Sequence, residues 1–190
     1  NELSQLAAEL LKTAPENLKS HGMVLVEVLG DLWAKKDPAV AHRFYQNILK
    51  KHGDISRILN KVIAISSQTV SPEEEIQLRK KSLKADDEGV EHYGRLSELY
   101  ADQGKFEEAI HFGVKALENG EISVAIINRL TGFFLQQNNA SEALDFLEEY
   151  ASRESEFKPE ESAQLNLLAG NIWLSHLNKP KLAQRRYLMA

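Results

Sequence analysis

Three cations recur at one interval in this chain. Lys61, Arg95 and Arg129 stand 34 residues apart, with Asn60 just before Lys61, Asn128 just before Arg129, and Arg57 one helical turn ahead of Lys61. A row of guanidinium and ammonium groups on one surface can hold a carboxylate, and Arg does so through a planar fork of N–H donors. Side-chain amides beside such a row can bond the backbone of an extended peptide. The expectation is that Arg57, Asn60, Lys61, Arg95, Asn128 and Arg129 contact a partner protein or peptide, an acidic one suiting the cations. The competing expectation is a solvated face whose cations pair with Glu91, Glu98 or other neighbours, each pair contributing little. Gln68, Asp102 and Gln136 form a second polar row at the same interval.

Other chemistry finds little support. There are no cysteines, which excludes disulfides, thiolate metal sites and cysteine nucleophiles. The glycines never take phosphate-loop spacing, and no G-x-S-x-G elbow occurs. The six histidines, His21, His42, His52, His92, His111 and His176, lack metal-ligand spacing and read as surface or cap residues. Glu73-Glu74-Glu75 and Asp86-Asp87-Glu88 read as helix N-terminal charge favoured by the macrodipole. Asn139-Ala140-Ser141 matches a glycosylation sequon but reads as turn polarity and an N-cap. No catalytic residue, metal or cofactor is expected, and the chain reads as a non-enzyme.

The elements that would position the cations are helices. Tyr93, Leu96, Leu99 and Tyr100 lie three or four apart, on one face of a helix. A turn follows at Asp102-Gln103-Gly104-Lys105, then Phe106, Ala109, Ile110, Ala116 and Leu117 make a second amphipathic helix. Asn119-Gly120 should end it, with Gly suited to a left-handed cap. Adding 34 to Tyr93, Leu96, Ser97, Tyr100, Gly104 and Ala109 gives Ile127, Leu130, Thr131, Phe134, Asn138 and Ala143. Each site keeps its residue class. Subtracting 34 gives Leu59, Val62 and Ser66, and Leu49, Leu83, Leu117 and Ala151 form one more row.

Tyr93-x2-Leu96-Ser97-x2-Tyr100, followed by Gly104-Lys105-Phe106-Glu107-Glu108-Ala109 and later Ala116, closely resembles one tetratricopeptide repeat (TPR). Ile127, Leu130, Thr131, Phe134, Ala143 and Leu147 match a second copy in class. Val26, Leu29-Gly30, Trp33, Ala41, Tyr45 and Ile48 resemble a third, one residue shorter in the turn Lys36-Asp37-Pro38. Leu167, Ala169-Gly170, Leu174, Ala183 and Tyr187 resemble another, one residue longer in the turn. The stretch 55–88 is the most degenerate copy, with Ser71-Pro72 opening its second helix. Gly113 departs from the pattern, which places a bulky side chain there; neighbouring Phe112 is the expected substitute.

The resemblance implies an all-α fold, an alpha-alpha superhelix (TPR-like solenoid) of about five helix pairs. It implies that first helices line a concave face, the groove that would hold the partner, and second helices an outer one. A single array over 1–190 is expected: a leftover helix at 2–13, then pairs at about 16–52, 54–86, 88–119, 122–153 and 159–190, as a segment of a longer array. Stacked pairs bury each other's apolar faces, so stability is a sum of repeat and interface terms. The family's carboxylate-holding chaperone binders use a Lys/Asn/Arg set that only Arg95 or Arg129 matches, so a chaperone tail is not expected as ligand.

Net charge is −5, and the surplus acid lies in residues 90–190, much of it on the second helices at Glu107, Glu108, Glu142, Asp145, Glu148 and Glu149. That balance argues against nucleic acid as a partner, since its binding runs on clustered positive charge. No apolar run approaches the roughly 20 residues of a membrane span, so no direct membrane insertion is expected. The expected function is a protein–protein interaction scaffold with a peptide or partner segment in its groove. The alternative is a structural spacer or assembly arm within a larger multi-repeat protein, for example a bacterial envelope assembly or polysaccharide-export component. Self-association through uncapped ends is compatible with both. A soluble chain, cytoplasmic or bacterial periplasmic, is expected.

Overall fold

A computed structural model describes residues 16–52, 56–85, 90–120, 122–153 and 156–190. The expected helix at 2–13 and the acidic run at Asp86-Asp87-Glu88 lie outside them. Among the described residues there are ten helices and no strand. They are α1 (Glu16–Lys36), α2 (Pro38–His52), α3 (Ser56–Thr69), α4 (Pro72–Ala85), α5 (Val90–Asp102), α6 (Phe106–Asn119), α7 (Val124–Gln136), α8 (Ala140–Ala151), α9 (Pro159–Ser175) and α10 (Pro180–Tyr187). None of them is long and apolar enough to cross a membrane. The chain divides into two compact units, one within 1–87 and one within 88–190.

Local chemistry sets the helix boundaries. Asp37 breaks α1 from α2: its Oδ1 accepts from the amides of Ala39 (3.1 Å) and Val40 (3.2 Å), and Pro38 supplies the first helical residue. Ser71 does the same for α4, accepting from the Glu74 amide at 3.2 Å with Pro72 behind it. In the second unit the turns within helix pairs use a left-handed residue. Gly104 has φ 70°, Asn138 φ 58° and Asn178 φ 52°. Only Gly enters this region freely, and Asn is among the few other residues that tolerate it. Gly104 and Asn138 are 34 residues apart, so the conserved feature of the repeat is a backbone angle. Gly120 does not act this way. It follows α6 with φ −127° and ψ −165°, which is extended backbone, and the Asn119 side chain instead donates to the Lys115 carbonyl at 2.8 Å.

Packing within each unit follows the apolar stripes. In the first unit Val26, Ala41, Phe44, Tyr45, Ile48, Ile58, Val62 and Ile65 form one buried cluster, and Trp33 meets Phe44 edge-on at 5.0 Å. In the second unit Leu96, Ile127, Leu130, Leu147, Leu165 and Ile172 are fully buried. Each such side chain contributes about 1.5–3 kcal/mol. Small residues let paired helices approach. Ser97 is buried on α5 and donates to the Ala109 carbonyl of α6 at 2.7 Å. A Cβ on Gly30 would fall on the ring of Tyr45, and one on Gly170 on the ring of Tyr187.

Gly113 is filled differently from the sequence expectation. A Cβ there would lie 2.3 Å from Cδ2 of Leu130, so the volume of the missing side chain is taken from α7. Phe112 does not take that place. It stacks on Tyr100 at 5.5 Å with the rings nearly parallel.

Two histidines also depart from expectation. His42 and His92 are buried, not surface residues. The Nε2 atom of His42 has no hydrogen-bond partner among the described residues. Burial holds the His42 imidazole below its ordinary pKa, partly opposed by the charge of Glu74. The folded state therefore binds fewer protons than the unfolded chain, and its stability is complete above about pH 6.5 and falls as pH drops below that. The expected result is a thermal midpoint for the first unit that drops between pH 7.5 and 5.5. The drop should shrink in a His42→Leu variant, as read by Trp33 fluorescence. An identical drop in both proteins would place the acid sensitivity elsewhere.

Candidate functional site

The six residues singled out by sequence all lie on first helices of their pairs. Arg57, Asn60 and Lys61 are on α3 in the first unit; Arg95 is on α5, and Asn128 and Arg129 are on α7, in the second. The apolar face of each helix turns these residues outward. On α3, Ile58, Leu59, Val62 and Ile65 are buried while Arg57 and Asn60 are exposed. On α7, Val124, Ile127, Leu130 and Thr131 are buried while Asn128 and Arg129 are exposed.

Every cation in the set meets a carboxylate. In the first unit Arg57 pairs with Glu27 at 2.8 Å, and the ammonium of Lys61 bonds Oδ2 of Asp31. Both acids come from α1, so the pairs tie the first helices α1 and α3 together. Tyr45 of α2 joins them, its hydroxyl donating to Oδ1 of Asp31 at 2.9 Å and sitting 3.3 Å from the Glu27 carbonyl. In the second unit Glu98 of α5 receives two guanidinium groups. Arg129 reaches its Oε1 at 2.8 Å from α7, and Arg95 its Oε2 at 3.2 Å from one turn away on α5.

The titration of these groups follows from the geometry. Burial would raise the Asp31 carboxyl, but the bonds from Lys61 and Tyr45 outweigh it and hold Asp31 below its ordinary value. Burial would likewise raise Glu98, and the bonds from Arg129 and Arg95 outweigh that and lower it. Tyr45 is pushed upward, first by burial and then by its bond to Asp31, so its phenol stays protonated as a donor. Both carboxylates are ionised throughout the neutral range. Their stabilising contribution is present above the ordinary carboxylate pKa and is lost as pH falls through the lowered value.

The expectation of a solvated face with paired cations holds in part, with Glu98 the partner of both arginines. Glu91 is in none of these pairs, which use Glu27 and Asp31 instead. The amides divide as well. Asn60 is engaged, its Oδ1 accepting from the Ser82 hydroxyl at 3.1 Å across to α4. Asn128 is exposed beside Arg129.

Glu27 and Asp31 were missed as site residues, though a signal for them exists. They sit four apart, as do Arg57 and Lys61, and each acid precedes its base by 30 residues. Glu98 precedes Arg129 by 31. Acid on one first helix and base on the next is legible as a spacing. Such half-exposed pairs contribute about 0–1 kcal/mol each, so an incoming carboxylate can replace the internal one at small cost. Among the described residues no group of three or more His, Asp or Glu could hold a metal ion.

The fold has close counterparts among solved structures. The sequence matches no family model and no curated protein. A crystal structure of the MamA protein superposes with a TM-score of 0.62 at 17% identity, covering 87% of this chain and 88% of that one. A structure of YrrB, described as a TPR protein with an unusual peptide-binding site, superposes with a TM-score of 0.61 at 12% identity, covering 98% of this chain and 91% of that one. At such identities the likeness establishes an all-helical, TPR-like solenoid fold and nothing finer.

Proposed function

From the tetratricopeptide-repeat fold we infer that this chain is a non-enzymatic protein-interaction scaffold that receives a peptide or partner segment on its first-helix faces. Arg57, Asn60 and Lys61 serve this role in the first unit, and Arg95, Asn128 and Arg129 in the second. The observation that carries the reading is Glu98 bridging two solvent-facing arginines. The site is already arranged around one carboxylate, with its guanidinium groups oriented before a ligand arrives, which lowers the ordering cost of binding. The description of YrrB as a peptide-binding protein of the same fold supports the same reading. The acidic partner then competes with Glu98 for Arg95 and Arg129.

Competition gives a test with opposite signs. Partners are captured from lysate on the immobilised chain and identified by mass spectrometry, then their binding is measured by calorimetry. Arg129→Glu is expected to abolish capture. Glu98→Gln, which removes the competing carboxylate from Arg95 and Arg129, is expected to tighten binding several-fold while changing stability by no more than about 1 kcal/mol. Binding that ignores both changes removes the site from the first-helix face of the second unit.

A second reading, a spacer or assembly arm in a larger multi-repeat protein, draws on a different observation. Val24, Leu25, Val28 and Leu32 are exposed on α1, and Leu167, Leu174, Leu188 and Met189 are exposed on α9 and beyond α10. Apolar patches of this kind mark interaction surfaces. This reading expects self-association that rises with concentration in sedimentation and is unchanged by Arg129→Glu.

A further inference from the structure

The first unit carries a cavity on its second helices that has no part in the reading above. It has a volume of about 450 Å³ and opens between α2 and α4. Its floor is apolar: Leu49 of α2, Leu59 of α3 and Leu78 of α4. Its walls bear three cations, Arg43 and Lys50 from α2 and Lys81 from α4. Gln46 and Asn47 complete the α2 wall. No carboxylate lines the cavity. Beside the opening Glu74 accepts from Gln46 at 3.4 Å and so links α2 to α4.

The contrast with the first-helix face is one of compensation. There Arg57, Lys61, Arg95 and Arg129 all meet carboxylates. Here neither Arg43 nor Lys50 is in an ion pair among the described residues. Arg43, Gln46, Asn47 and Lys50 recur at helical spacing along one face of α2, which aims both charges into one opening. Lys50 also lies in the last turn of α2, where a cation complements the helix dipole. That role does not extend to Arg43, which is mid-helix, and it supplies no reason for the leucine floor.

We propose that this cavity is a binding site for an acidic peptide segment with one large apolar side chain. The apolar side chain seats on Leu49, Leu59 and Leu78, while flanking carboxylates meet Arg43, Lys50 and Lys81. The volume is within the range of small-ligand and peptide side-chain pockets, which combine an apolar lining with a few convergent polar groups. A purely ionic ligand, such as a polyphosphate, would leave the leucine floor uncovered. An uncharged apolar ligand would leave Arg43 and Lys50 without a counter-charge.

The test is selection of a random dodecapeptide library on the immobilised full chain. Recovered peptides are synthesised and titrated by fluorescence anisotropy. The expected peptides combine at least two Asp or Glu with one Leu, Ile, Met or Phe. Arg43→Glu/Lys50→Glu should weaken them by at least tenfold, and Arg129→Glu should leave them unchanged. Circular dichroism verifies folding of each variant, and Arg43→Gln/Lys50→Gln, expected to weaken binding several-fold, replaces the reversal if it misfolds. Tripolyphosphate is the competing probe and should displace the peptides only weakly. The proposal is overturned if no peptide is recovered or the recovered ones lack acidic residues. It is equally overturned if the cavity variants bind normally, if Arg129→Glu alone removes binding, or if tripolyphosphate displaces the peptides fully.

Discussion

Replacing Gly30 with valine is expected to destabilise the first unit by about 3 kcal/mol, within the range of severe overpacking. A Cβ at Gly30 lies 2.1 Å from Cζ and 2.3 Å from the hydroxyl oxygen of Tyr45. The ring cannot yield freely. It is fully buried, and its hydroxyl is bonded to Asp31. Either α1 separates from α2, exposing the Val26 and Ile48 layer, or the ring swings out and Asp31 loses a donor. Trp33 reports the first unit and Trp173 the second, so a Trp173→Phe background isolates the transition in urea. The midpoint should fall sharply with Gly30→Val. A Gly30→Ala/Tyr45→Leu pair should be less damaged than the sum of its single changes, because the two sites touch. An unchanged midpoint in Gly30→Val would mean that the close approach of ring to backbone does not exist.

The second large effect is at Leu130. Its truncation to alanine is expected to cost the second unit about 3–4 kcal/mol, in the upper part of the range for buried leucines. The reason is the residue opposite. Leu130 is fully buried and lies over Gly113, which has no side chain that could relax into the hole. The cavity would stay open against the Ser97 hydroxyl. For a unit of this size the thermal midpoint should fall by more than about 10 °C. Gly113→Leu alone should also destabilise, by forcing two side chains into one space. Gly113→Leu with Leu130→Ala moves the volume from one helix to the other and should be closer to wild type than either single change. Additive losses would show that the two positions do not share a space.

The swap also explains what could be read in advance. The helix pairing is visible as an interval, because one backbone geometry repeats and Leu96, Leu130, Ala109 and Ala143 must each fill the same kind of gap. A filled volume is different: it can be supplied from either side, so the missing side chain at Gly113 pointed to its sequence neighbour Phe112 when the supplier is Leu130 on the next first helix. The cations of the site were visible for the same reason as the repeat. Their neutralisation was read only in part: Glu98 was expected as a partner, whereas Glu27 and Asp31 precede their bases by 30 residues, an offset that the repeat interval passes over. The cavity on the second helices was hidden by chain distance, since Arg43 and Lys81 approach only when α3 folds back between α2 and α4. Burial of His42 and His92 had no sequence signal: an imidazole on a helix is compatible with either face.

The offset between acid and base carries a meaning for how such a chain can be rebuilt. Glu27 and Asp31 on one first helix address Arg57 and Lys61 on the next, and Glu98 addresses Arg129. Each of these two junctions therefore has a sender and a receiver of opposite sign, the acid preceding the base along the chain. The apolar stripes alone would let any helix pair follow any other. With the charges in place, exchanging α3–α4 for α1–α2 would set acid against an unmatched surface and leave Arg57 and Lys61 without their partners. At these two junctions the helix pairs are alike as solids but not as neighbours, because the ion pairs fix which one follows.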